Sequence, residues 1–233
     1  MRDSLRHFVA EFVGTFALVF VGGAAIMMAQ SNGANGLLQV ALAHGLILAL
    51  MVSALMRISG HFNPAVTIGF IAARRIEPMM AAVYILAQLA GAVVAAYLLK
   101  ATFPSALFVA TRGGGQSIAL DITGTQAWLL EAIATFFLVF VIFGTAVDPK
   151  APRVAGFAIG LTVAADILAI GPMTGASMNP ARSFGPALAS GIFEGQFIYW
   201  TAPIVGSIVA ALLYDTLFIR REREPVEHGA IEP

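Results

Sequence analysis

Apolar residues run in six stretches long enough to cross a bilayer, at 6–28, 36–57, 78–100, 125–147, 153–171 and 198–219, since a spanning helix needs about 20 residues. Two shorter apolar stretches, 64–73 and 180–190, reach only halfway. Each opens on a proline, Pro64 or Pro180, inside a repeated triplet: Asn63-Pro64-Ala65 and Asn179-Pro180-Ala181. Asn is costly in hydrocarbon, and Pro removes a backbone donor and clashes with the preceding turn. Non-helical backbone at membrane depth persists only where protein buries it or where it lines a water-filled cavity. The repeated triplet therefore points to a pore.

The two halves of the chain are related. Setting Glu11 on Glu131 matches Glu, Thr, Phe, Leu, Val, Phe and Val across 11–21 and 131–141. Each half then holds three spans and one half-span, and an odd number of crossings makes the second half insert upside down. The first apolar run is too long for a signal peptide, and its removal would break this symmetry. The reading is one channel domain over 1–233, with inverted repeats at about 5–100 and 125–220 and a short cytoplasmic tail at 221–233. With both termini inside, the cytoplasmic face carries Arg2, Arg6, Arg57, Arg74, Arg75, Lys150, Arg153, Arg220, Arg221 and Arg223. Only Lys100, Arg112 and Arg182 lie elsewhere, as the positive-inside rule favours.

Composition adds exclusions. At 59% hydrophobic and 11% charged, the chain is too apolar for a soluble domain of its length. Zero formal net charge argues against nucleic-acid binding. The absence of cysteine removes disulfides, thiolate metal sites and thiol nucleophiles. No cofactor, metal or energy source is implied.

Helix-end chemistry gives the triplets a function. Pro64 and Pro180 suit the first helical position, where a missing N–H is harmless. Asn63 and Asn179 suit the N-cap, their side-chain oxygens accepting a free backbone N–H. Their NH₂ groups are then left to point into the lumen. Two helix N-termini, each equivalent to roughly +0.5 charge, meet there and repel cations. A water molecule must turn its oxygen to the Asn donors, which interrupts a proton wire.

The stretches Ser59-Gly60-His61-Phe62-Asn63-Pro64-Ala65-Val66-Thr67 and Asn179-Pro180-Ala181-Arg182-Ser183, with the Glu-opened helices at 11 and 131, resemble the aquaporins, the major intrinsic protein family, over essentially the whole length. The resemblance implies an all-α integral membrane protein, six transmembrane helices plus two half-spanning re-entrant helices in an inverted-repeat right-handed bundle. It also implies a homotetramer with one pore per subunit, set in the cell membrane. The family's narrower outer ring carries over to His44, Ile167, Ala176 and Arg182. That set is similar to the ring of plant tonoplast intrinsic proteins and of ammonia-permeable members. It implies a pore for water that also admits ammonia and, at its limit, urea. The alternatives within the family are a strict water channel and a glycerol facilitator. Ser183 after Arg182, and Tyr199-Trp200 in the last span, speak against glycerol.

Under the same resemblance Glu11 and Glu131 are structural, bracing the re-entrant loops through buried backbone donors. His61 lines the cytoplasmic vestibule, with a pH gate as its second reading. Asp166 either ties down the second loop or touches the solute path; its place about 100° round the helix from Ile167 favours the former. Gly156 and Gly160 form a small-residue packing face. The glycine run 113–115 lies in the external loop 101–124, whose path the sequence leaves open. Two other classes fit the sequence less well. A secondary transporter needs an ionisable coupling site, for which Asp166 has no basic partner. A hydrolase needs a nucleophile with a base, and Ser177, Ser183, His44 and His61 supply no such motif.

Overall fold

The computed structural model describes residues 2–30 and 36–220. The expected tail 221–233, with Arg221 and Arg223, lies outside the described residues. The described chain is helical, and six of its helices are long and apolar enough to cross a membrane. In chain order the elements are α1 (Arg2–Ala29), α2 (Gly36–Leu55), the half-span α3 (Pro64–Ala72) and α4 (Pro78–Thr102). A short external helix α5 (Ser105–Ala110) follows, then α6 (Gly124–Ile142), α7 (Ala155–Thr174), the half-span α8 (Pro180–Ser190) and α9 (Gln196–Tyr214). Wide helical turns at Phe143–Val147 and Asp215–Arg220 prolong α6 and α9.

Local sequence sets these boundaries. α3, α4 and α8 each begin with a proline in the first turn, where no intrahelical donor is lost. Thr123 and Gln126 form a reciprocal capping box at the start of α6. The fifth span runs past its expected end at 171, carrying Pro172 inside the helix and stopping at Thr174. Gly175, with φ 79°, ends it in the left-handed conformation that only glycine adopts freely.

Packing repeats across the two halves. α1 lies on α4 as α6 lies on α9, and the half-spans cross over, α3 onto α9 and α8 onto α4. Backbones approach where a side chain is missing: a Cβ at Gly91 would strike the Phe12 carbonyl, and one at Gly206 the Ala132 carbonyl. Gly156 and Gly160 put the backbone of α7 against Ser53, Ala49 and Gly45 of α2. Without a hydrophobic drive between helices in lipid, this close packing is what associates them. Large apolar side chains such as Leu86, Phe157 and Phe197 point outward.

Candidate functional site

The two half-spans meet end to end through their asparagines. Asn63 Oδ1 accepts from Ala65 N at 2.9 Å, and Asn179 Oδ1 from Ala181 N at 3.0 Å and Arg182 N at 3.2 Å. Their amides cross over. Asn63 Nδ2 donates to the Met178 carbonyl at 2.7 Å, and Asn179 Nδ2 to the Phe62 carbonyl at 2.8 Å. This corrects the expectation that each NH₂ is left wholly to the lumen: one of its two hydrogens is spent on the opposite loop. Phe62 and Met178 hold left-handed φ values of 48° and 52°. These conformations, unfavourable by about 1–3 kcal/mol each for residues other than glycine, accompany the two cross-loop bonds.

Two buried carboxylates hold the loops beneath these turns. Glu11 accepts from Ser59 Oγ, from His61 N at 2.8 Å, from Phe62 N at 2.7 Å and from Gln88 Nε2 at 2.7 Å. Glu131 accepts from Thr174 Oγ1 at 2.7 Å, Ser177 N at 2.8 Å and Met178 N at 2.8 Å. Backbone N–H groups that would otherwise stand bare in the membrane interior are thereby satisfied. Tyr199 Oη adds a donor to the Thr174 carbonyl at 2.8 Å.

A narrow cavity passes the asparagines. His44, His61, Asn63, Ala176, Asn179 and Arg182 line it together with apolar faces of α1, α2, α6 and α7, such as Leu18, Val52, Ile142 and Val163. A second, outer cavity is lined by Ile167, Gln116, Gly175 and again Arg182. The four expected ring positions thus flank the junction of the two cavities, with Arg182 common to both. Arg182 is 5% exposed; its guanidinium donates to the Gly175 carbonyl at 3.4 Å and lies 3.0 Å from His44 Nε2. Guanidinium nitrogens only donate, so Nε2 is the acceptor. The other nitrogen, Nδ1, sits 2.8 Å from the Val40 carbonyl and carries the proton. His44 is therefore a neutral imidazole with both nitrogens occupied.

His61 packs at 4.2 Å, between ring centres, on Phe70 and at 5.0 Å on Tyr84, with Nδ1 3.1 Å from Thr67 Oγ1. Asp166 answers to neither of its expected roles. It forms no hydrogen bond among the described residues, its Oδ2 is buried without a partner, and it lines neither cavity. The glycine run settles against α1, while Gly115 and Gln116 of the same loop line the outer cavity. Gly113 and Gly114 are buried, and Gly114 lies so close to Gly23 of α1 that a Cβ there would be 2.5 Å from its Cα. Beyond them Gln116, 8% exposed and with its Nε2 unpartnered, packs on Gly175.

Four contributors escape a reading of the sequence. Gln88, bridging Glu11 and Thr67, carried a usable signal, a lone amide deep in an apolar span. Gln116 carried none, because its place depends on a loop path. The Phe62 and Met178 carbonyls carried none either, since backbone groups leave no mark on composition.

Comparison with known proteins agrees in extent. The Major intrinsic protein family model matches residues 1–214. The chain is 41% identical to "Probable aquaporin TIP3-2" of Arabidopsis thaliana over 249 residues, covering 99% of this chain and 90% of that one. It is 44% identical to "Aquaporin TIP1-2" of Zea mays, covering 93% and 87%. Among solved structures, the aquaglyceroporin from Plasmodium falciparum superposes with a TM-score of 0.78 at 30% identity, over 94% of this chain and 98% of that one. Spanning helices, paired half-spans and these matches lead to one conclusion: the chain belongs to the major intrinsic protein family and is an integral membrane channel for water and small solutes.

Proposed function

We propose that this channel passes water and ammonia, with urea at the limit of its ring, and rejects ions and protons. The observation that carries the reading is the two-sidedness of the ring. His44 and the Gly175 carbonyl hold Arg182 to one side, while Ile167 and Ala176 offer the solute apolar surface and no side-chain donor. A small neutral molecule can cross between them, whereas a cation meets the Arg182 charge and then two helix N-termini. Asn63 and Asn179, each with one free N–H, orient the permeant at the midplane; His61 lines the inner vestibule without gating it. Glu11 and Glu131, behind Pro64 and Pro180, keep both loops at depth. The functional unit is a homotetramer of single-domain subunits with no cofactor. Both termini lie on the positive-rich, cytoplasmic face. The TIP-type relatives lend no support to the expected cell-membrane address.

Proteoliposomes test this directly. Osmotic shrinkage should be far faster than in empty vesicles, and an ammonium gradient should alkalinise the lumen faster too, with Ile167→His abolishing only the second. Fast shrinkage with alkalinisation at the empty-vesicle rate would leave a strict water channel. The likeness to an aquaglyceroporin makes glycerol the natural comparison solute, and rapid glycerol entry would favour the facilitator reading instead.

A further inference from the structure

We infer that Gly22 of α1, a helix that supplies no member of the ring, sets the ring's aperture by seating His44. The inference rests on the ring reading above. A Cβ built on Gly22 would lie 2.5 Å from His44 Cδ2 and 2.7 Å from Cε1, and closer still to Nε2. The imidazole therefore lies against bare backbone, in the space any side chain at position 22 would occupy. It has no retreat. His44 is 1% exposed, with Nδ1 tied to Val40 in the turn before it and Nε2 taken by Arg182. Nor can α2 withdraw as a whole: a Cβ at the neighbouring Gly45 would be 2.6 Å from the Gly160 carbonyl of α7. With α1 behind and α7 alongside, the free direction for the ring is the lumen, where it meets Arg182.

Gly22 is thus a positioning residue. Its missing side chain holds His44 back, His44 holds Arg182 aside, and the opening between Arg182 and the Ile167–Ala176 wall follows. Gly23 beside it looks elsewhere, toward Leu99 and the external loop at Gly113 and Gly114, so the two glycines serve separate neighbours.

The test is a double-mutant cycle in proteoliposomes, with rates normalised to folded channel. Gly22→Ala should lower water permeability by about tenfold, because pore width governs conduction, and ammonia flux should fall with it. His44→Ala alone should widen the ring and raise urea uptake. Gly22→Ala combined with His44→Ala should behave like His44→Ala alone, since the clash is gone. Should Gly22→Ala fail to fold, recovery of folding in the double variant supports the same contact. A double variant as slow as Gly22→Ala, or as poorly folded, overturns the inference and makes Gly22 a packing residue. So does a Gly22→Ala channel that conducts normally. If His44→Ala leaves solute range unchanged, the ring reading itself fails and the inference falls with it.

Discussion

The two re-entrant loops match at their tips and differ one residue further on. Asn63 and Asn179 cap their helices alike, each reaches a carbonyl of the other loop, and Phe62 and Met178 share one unusual backbone conformation. Past Pro and Ala, the first loop has Val66 where the second has Arg182. Val66 packs in the core; Arg182 reaches His44 and Gly175. Symmetry thus builds the midplane, and Arg182 breaks it. In the proposed function, proton exclusion belongs to what the halves share, and solute choice to what they do not.

Glu131→Ala should have the largest effect. It strands Thr174 Oγ1, Ser177 N and Met178 N, each at about 1–3 kcal/mol when left unsatisfied. Water flux should be almost lost, and the thermal unfolding midpoint in detergent should drop well below that of the parent channel. Glu11→Ala should depress flux comparably while leaving the water-to-urea ratio of surviving channels unchanged, because its loop carries no selector. A changed ratio there would contradict the division of labour.

Arg182→Val comes next. It makes the second loop copy the first and should raise urea and glycerol uptake about tenfold, with water flux retained; unchanged uptake would show that selection lies elsewhere. Asn63→Ala and Asn179→Ala should then reduce water flux by similar modest factors, since each removes one crossing bond and the cap of its half-span, about 1 kcal/mol apiece. Unequal losses, read from shrinkage rates, would break the symmetry of the midplane. Gln88→Leu should be smallest, about 1 kcal/mol in stability: Glu11 keeps three other donors.

Much of this was legible in the sequence because membranes penalise exceptions. Apolar runs marked the six spans, and Pro and Asn marked both loop tips. Glu11 and Glu131 stood out as carboxylates where none is cheap to keep. What escaped depends on direction rather than type. Asp166 stood out for the same reason as Glu131, yet its Oδ2 has no partner among the described residues. The path of Gly113–Gly115 was open in the sequence, and Gly23 of α1 supplies the place where the run settles. That a carbonyl at Phe62 would take a hydrogen from Asn179 follows from a backbone twist no residue type announces, and so did the loss of one lumenal donor from each Asn.

The crossing of the half-spans bears on how such a channel is made. α3 rests mainly on α9, and the Asn63 amide is tied to Met178, so the seat of the first loop is translated late although its Glu11 and Gln88 braces come early. A ribosome that has released α1 through α4 has produced a loop with its Glu11 brace but without its seat. Both halves line the narrow cavity, Leu18, His44 and Asn63 from the first and Leu138, Val163 and Asn179 from the second, so a chain stalled midway carries only part of the pore wall.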